Sequence, residues 1–261
     1  MRIAIVTGAS SGMGREFVRQ IEHFYKNLDE IWVIARREER LLELKKELSC
    51  YVRVFTGDMQ KDLVYKQVLN RLENQSPDVR MLVNAAGFGK TGTVEEIAEK
   101  DKKVQLDMID LNCRGLTQMI CTCLPWMHKG SRIINLASAA AFCPQSGFSV
   151  YAATKSYVLS FSRGLGAELK DRGIIVTAVC PGPVDTEFFQ ISGPMTNSMK
   201  AAVMAKPQDV VRQALLDTKE KKAVSVYGTV MKGANAATKL IPHGVILKAM
   251  DICRKREDEV E

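Results

Sequence analysis

Short apolar runs rich in β-branched residues recur along the chain at 3–6, 31–35, 52–55, 81–83, 132–136, 174–179 and 223–226. Their length and composition predict strands. Between them, 15–26, 38–48, 63–73, 103–127 and 152–170 place apolar residues at helical spacing. Strand and helix alternate in this way when parallel strands form a sheet covered by helices on both faces. Parallel strands buried on both faces read as unbroken apolar runs, as Ile3-Ala4-Ile5-Val6 does. The expected fold class is therefore α/β, a single-domain doubly wound parallel sheet of the Rossmann type.

Length and composition narrow this picture. A chain of 261 residues suffices for one large core, and no Pro- or Gly-rich linker or fixed-period repeat divides it, so residues 1–261 are expected to form one domain. Residues 181–206 have weak periodicity and are expected to form a substrate lid, and 228–256 a C-terminal helical extension. No apolar run approaches the roughly 20 residues a membrane-spanning helix needs. The first strand runs straight into a Gly-rich turn rather than a secretory hydrophobic region, so a cytoplasmic location is expected. Seven scattered cysteines and three isolated histidines lack metal-ligand spacing, which predicts reduced thiols and no metal. The net charge of +7 comes from basic residues interleaved with acidic ones, so no nucleic-acid partner is expected.

Chemistry concentrates where predicted strands end. After the first strand comes Thr7-Gly8-Ala9-Ser10-Ser11-Gly12-Met13-Gly14 and then a helix. Gly8 suits a tight turn, Gly12 a close approach to a pyrophosphate, and Gly14 close helix–strand packing, while the helix start offers amides to phosphate. Taken alone, such a loop also reads as a purely steric turn. An NAD site usually has an acid at the end of the second strand. Here Ala35 is followed by Arg36 and Arg37, which suit the 2′-phosphate of NADP(H) and point to that cofactor over NAD(H), the alternative being that they open a charged helix. Asp58 and Met59 end the third strand, where Asp58 can accept from an adenine amino group. Asn84, Ala85, Ala86 and Gly87 end the fourth, where small side chains leave room for a flat ligand or simply make a sharp turn.

Ser138 follows the fifth strand, and Tyr151 and Lys155 lie four residues apart on a predicted helix, hence on one face. Reducing a carbonyl calls for a proton donor at its oxygen as hydride arrives, and oxidising the alcohol uses the same group as base. A phenol with pKa of about 10 is a poor base at neutral pH. An adjacent ammonium and a positively charged ring are expected to lower it, with Ser138 donating to the substrate oxygen. By itself the Tyr-x-x-x-Lys pair also occurs on ordinary amphipathic helices. The order of glycine loop, Asn84–Gly87, Asn112, Ser138, Tyr151 and Lys155 within one α/β pattern carries more weight.

Together these residues resemble the short-chain dehydrogenase/reductase family, in its branch of roughly 250-residue single-domain enzymes, over residues 1 to about 190. The resemblance implies an oxidoreductase acting on CH–OH groups with Asn112, Ser138, Tyr151 and Lys155 as catalytic tetrad. It implies that Lys155 also grips the nicotinamide ribose, that Asn112 holds a proton-relaying water, and that Pro181, Gly182, Val184 and Thr186 belong to the segment holding the carboxamide. It further implies a homo-oligomer, dimer or tetramer, associating through the long 103–127 helix and the next.

The substrate is expected to be a hydrophobic ketone, hydroxysteroid or acyl compound, since Phe188, Phe189, Ile191, Met195 and Met199 could wall a pocket or merely pack the lid. A small hydroxy-acid dehydrogenase and a catalytically silent NADP(H)-binding regulator are the alternatives. The tail interleaves apolar residues such as Val230, Met231, Leu240, Ile241 and Val245 with Lys232, Lys239, Lys248, Arg254 and Lys255. It is expected to pack on its own subunit or a partner in preference to resting on a peripheral membrane surface or capping a lipid-like substrate.

Overall fold

The computed structural model describes residues 1–192 and 204–258, apart from the side chains of Ile191 and of residues 252–258. Seven described strands, β1 (Arg2–Thr7), β2 (Glu30–Ala35), β3 (Tyr51–Thr56), β4 (Asp78–Asn84), β5 (Arg132–Leu136), β6 (Ile175–Val179) and β7 (Val224–Ser225), form one parallel sheet in the order β3-β2-β1-β4-β5-β6-β7. The order reverses between β1 and β4, and a crevice opens there outside the carboxyl ends of the strands.

Strand alternation explains the unbroken apolar runs. Ile3 and Ile5 face one core layer with Trp32, Ile34, Leu82 and Ile133, while Ala4 and Val6 face the other with Ile31, Val33, Val83 and Ile134. The first layer packs on helices α3 (Asp62–Gln75), α5 (Leu116–Cys123) and α6 (Ser149–Glu168). The second packs on α1 (Gly12–Phe24), α2 (Glu38–Glu47) and α8 (Pro207–Lys219).

Two helical expectations change. The single helix expected over 103–127 begins earlier and is divided. Helix α4 (Val94–Ile109) starts at a capping box in which the Thr93 hydroxyl accepts from the Glu96 amide at 3.2 Å and the Glu96 carboxylate accepts from the Thr93 amide at 2.7 Å. It gives way to a π-helical turn, Asp110–Gly115, before α5, and the chain ends this stretch in a 3₁₀ turn at Leu124–Trp126 containing Pro125. The second change is α8, for which the sequence reading had no element. It opens with Pro207, carries Asp209 in its first turn and Lys219 in its last, and buries Val210, Val211, Ala214 and Leu215.

The expected lid segment is tied at its base, where the Asp185 amide donates to the Ala205 carbonyl at 3.0 Å and the Ala205 amide to the Pro183 carbonyl at 2.9 Å. It carries the short helix α7 (Phe188–Ser192); Met195 and Met199 lie outside the described residues. The C-terminal extension forms α9 (Thr229–Leu240) and α10 (His243–Asp258). No described helix is long and apolar enough to cross a membrane.

Asp217 joins α8 to β7. Its carboxylate is buried and accepts from Lys222 Nζ and the Ser225 hydroxyl, each at 2.7 Å, and from Gln213 Nε2 at 2.9 Å. Burial alone would raise its pKa, but these donors outweigh it and hold the carboxyl below the ordinary value. A carboxyl depressed in the folded state contributes stability above its unfolded pKa and loses it as pH falls through the folded one. Replacing Asp217 by Ala strands a buried hydroxyl and is expected to cost about 2–4 kcal/mol, read as a lower urea midpoint at neutral pH with a smaller difference in acid. An unchanged midpoint would mean that this network does not anchor the edge strand.

Candidate active site

A cavity of about 1400 Å³ occupies the crevice at the β1/β4 reversal. Its floor is the turn after β1. Gly8 has φ +68° there, and a Cβ on it would lie 2.7 Å from the Ala86 amide nitrogen, so only glycine lets the two strand ends approach this closely. The Thr7 hydroxyl fastens the same approach by accepting from the amides of Ala85 and Ala86 at 3.1 and 3.2 Å. At Gly14 a Cβ would run into the Gly8 carbonyl, which is the close packing of α1 on the turn expected from the sequence.

The start of α1 suits a bound phosphate. Ser11 stands at the N-cap but makes no side-chain cap bond, and the first turn contains no acidic residue, so the positive end of the helix is left to a ligand. Ser10, Ser11, Gly12, Met13 and Gly14 all line the cavity here. Ala35, Arg36, Arg37, Asp58 and Met59 line the end near β2 and β3, with Arg36 exposed and Arg37 half-buried. The Arg37 guanidinium donates to Ser11 Oγ at 2.8 Å and to Glu187 at 2.9 Å, and Arg40 donates to the other oxygen of Glu187. This donor set and the open helix terminus fit a dinucleotide carrying an extra phosphate.

At the other end Ser138, Tyr151 and Lys155 converge, along with Ala85, Ala86, Gly87, Pro181, Gly182, Val184 and Thr186. Lys155 is buried and donates from Nζ to the Leu136 carbonyl at 2.7 Å, with its ammonium 5.6 Å from the centre of the Tyr151 ring. Ser138 Oγ accepts from the Ala140 amide at 3.1 Å, which leaves its proton to point elsewhere.

Burial dominates the electrostatics of the protein's own groups. It pushes the Tyr151 phenol up to about 12, with the hydrogen bond from Ser138 opposing the rise, and pulls Lys155 down to about 8. The Lys155 ammonium is directed at the Leu136 carbonyl, and the positively charged ring expected to share in lowering the phenol belongs to the cofactor.

Two of the candidates stand behind the cavity wall rather than on it. Asn84 is buried in the sheet, where its Nδ2 donates to Asn135 Oδ1 at 2.9 Å. Asn112, in the π-helical turn, donates to the Phe88 carbonyl at 2.9 Å and the Thr154 hydroxyl at 3.0 Å and accepts from the Phe88 amide at 3.1 Å. Its side chain thus holds the backbone of the loop after β4.

Several lining residues were not singled out from the sequence. Phe148 stacks on Tyr151 at 4.3 Å between ring centres, and the anticipated Phe188 approaches the other side at 5.5 Å. Phe88, Gln145 and Glu187 also face the cavity, and Met231, Ile241, Val245, Ile246 and Met250 of the extension, already noted in the sequence, line it too. The extension therefore packs on its own chain, although Val230 and Leu240 remain exposed.

Comparison with known proteins agrees with this geometry. The chain is similar to sulfoacetaldehyde reductase 2 of Chromohalobacter salexigens, 36% identical over 194 residues that cover 71% of this chain and 74% of that one. It is 34% identical over 192 residues to an NADP-dependent 3-hydroxy acid dehydrogenase of Salmonella typhi, covering 72% and 75%. Among solved structures, the closed form of serine dehydrogenase complexed with NADP⁺ superposes with a TM-score of 0.73 at 28% identity, covering 87% of this chain and 95% of the other. The model of the short chain dehydrogenase family matches residues 2–197, and with these relatives it establishes that the chain belongs to the short-chain dehydrogenase/reductase family.

Proposed function

We propose that the chain is an NADP(H)-dependent oxidoreductase interconverting a hydrophobic secondary alcohol and ketone, or the corresponding primary alcohol and aldehyde. One observation carries this reading: a single cavity runs from a two-arginine end, past Ser138, Tyr151 and Lys155, to an apolar end. The glycine loop and the start of α1 would hold the pyrophosphate, Asp58 the adenine amino group, and Arg36 and Arg37 the 2′-phosphate. The backbone of Val184 and the hydroxyl of Thr186 would orient the carboxamide. NADP⁺ in the serine dehydrogenase structure and the NADP-dependence in the name of the Salmonella relative support this cofactor. Bound there, the nicotinamide supplies or accepts the hydride.

The chain's own residues then manage the proton. Tyr151, held protonated by burial, donates from its phenol to the carbonyl oxygen, and the Ser138 hydroxyl donates a hydrogen bond to the same atom. Lys155 holds the nicotinamide ribose and supplies positive charge beneath the phenol. Asn112 positions the Phe88 backbone, which fixes the loop along the cavity side.

The apolar end decides between substrate classes. Phe88, Phe148, Phe188, Phe189, Met231 and Ile246 form its walls. Relatives named for sulfoacetaldehyde and a 3-hydroxy acid favour a second reading, a small hydroxy-acid dehydrogenase. An acidic substrate needs a cation near the reacting carbon. Among the described lining residues the cations are Arg36, Arg37 and Lys155, already assigned to the cofactor, while Glu96 adds negative charge. A regulator without turnover would have no need of the assembled Ser138, Tyr151 and Lys155. The exposed apolar Leu106, Ile109 and Tyr157, on α4 and α6, support association into a homo-oligomer.

Purified protein incubated with NADPH, and separately NADH, across carbonyls from small aldehydes to steroid ketones is expected to oxidise NADPH preferentially, with the best substrates apolar. Tyr151→Phe is expected to lower kcat/KM by about 10²–10⁴-fold with NADPH binding intact. A selective preference for charged hydroxy-acid precursors would favour the second reading, and binding without turnover of any carbonyl would favour the regulator.

The direction of the tyrosine shift gives a pH dependence. Reduction uses the protonated phenol, so its kcat/KM is expected to stay level between about pH 6 and pH 8, whereas oxidation, which needs phenolate, rises over that range. A reductive rate that falls tenfold over the range would contradict a phenol raised by burial. Lys155→Met removes a desolvated ammonium whose lowered pKa marks a stability cost below about pH 8, and is expected to melt no lower than the unchanged chain while losing activity. A marked loss of Tm would show that the bond to Leu136 outweighs that cost.

A further inference from the structure

Glu187 follows Thr186 on the cavity wall opposite the end of β2. Its carboxylate nevertheless reaches across: Oε2 accepts from Arg37 Nη1 at 2.9 Å and Oε1 from Arg40. The other terminal nitrogen of Arg37 donates to Ser11 Oγ at 2.8 Å and lies 3.3 Å from Ser10 Oγ. Two guanidinium groups therefore hold one anion, the paired donor set that a phosphate also takes, and the Ser10 and Ser11 hydroxyls hold Arg37 from its other side. Arg37 and Glu187 side chains are 39% and 32% exposed, so the ion pair adds little to folding stability and acts chiefly on what else can bind there.

We propose that the Glu187 carboxylate occupies the 2′-phosphate subsite and competes with that phosphate for Arg37 and Arg40, so that Glu187 sets how strongly the chain discriminates NADP(H) from NAD(H). The inference rests on the cofactor reading above and deepens it. NAD(H) carries a neutral hydroxyl at the 2′ position and leaves the clasp closed. A phosphate dianion attracts the paired guanidinium groups more strongly than a carboxylate monoanion does, and the partly exposed Glu187 can turn to solvent when displaced. Breaking the clasp then subtracts from the binding of NADP(H) alone.

The test is equilibrium binding to the full chain, by tryptophan fluorescence or calorimetry, of NADPH, NADH and the fragments 2′,5′-ADP and 5′-ADP. Glu187→Gln, with Glu187→Ala as a second variant and thermal melts to confirm folding, is expected to tighten NADPH and 2′,5′-ADP about fivefold, the scale of a partly exposed ion pair. NADH and 5′-ADP are expected to change by less than about twofold on the same scale. Equal tightening of all four ligands would show general charge repulsion and overturn the proposal, as would weaker NADPH binding in both variants. If the unchanged chain binds NADH but not NADPH, the cofactor reading itself fails and the proposal with it. NADPH binding with an unaltered NADPH-to-NADH ratio in the variants refutes the role of Glu187 alone.

Discussion

The close approach of the turn after β1 to the end of β4 is the constraint on which the rest of the site depends. Sheet order reverses between these strands, so their crossover connections leave on opposite faces and open a crevice at the carboxyl ends, where a ligand lies close to backbone. Gly8 makes the approach possible by taking a left-handed conformation against Ala86, and the Thr7 hydroxyl ties it by bonding two successive amides of the loop. From this joint α1 leaves with its uncapped terminus facing the gap, and the loop after β4 leaves toward Phe88, where Asn112 fixes it. Moving the joint would misplace the phosphate end and the tyrosine end of the cavity together.

At the tyrosine end, desolvation and the hydrogen bond from Ser138 act on the phenol in opposite directions, and desolvation has the larger effect. Lys155 is buried beside it with its ammonium donating to the Leu136 carbonyl. Tyr151 is covered on both sides by Phe148 and Phe188 and rises accordingly. A phenol raised by burial stays protonated at neutral pH but surrenders its proton less readily, so both directions of the chemistry depend on what else enters the cavity. Oxidation depends on additional positive charge arriving in the cavity, which an oxidised nicotinamide brings.

How much of this was legible in the sequence depends on whether the signal was local. The strands announced themselves because each is buried on both faces, and Gly8, Gly12 and Gly14 because a strand–turn–helix junction restricts what can stand there. Helical spacing put Tyr151 and Lys155 on one face, and their order with the glycine loop, Asn84–Gly87, Asn112 and Ser138 singled them out. Helix α8 also had readable signals, Pro207 at its start and a Val-Val…Ala-Leu face, but fell between two segments read as lid and tail. The π-helical turn was not readable, because one extra residue per turn leaves no periodicity over so short a stretch. Glu187 was beyond reach for a different reason: its partner Arg37 lies on another element, 150 positions away, and no short-range pattern records such a contact.

These long-range contacts converge on one stretch of chain. Most residues between Pro181 and Ser192 line the cavity. The Pro181 carbonyl accepts from the amide of Ala139 beside Ser138, Thr186 packs over Gly12, Glu187 grips the arginines, and Phe188 covers Tyr151. The Ser192 carbonyl then accepts from the Thr91 amide at 2.9 Å, closing the circuit on the loop after β4. Adjacent residues 187 and 188 thus face opposite ends of the site, one the phosphate end and the other the phenol. The Glu187 side chain can turn without moving Phe188, whereas a shift of the segment as a whole would move both ends of the site together.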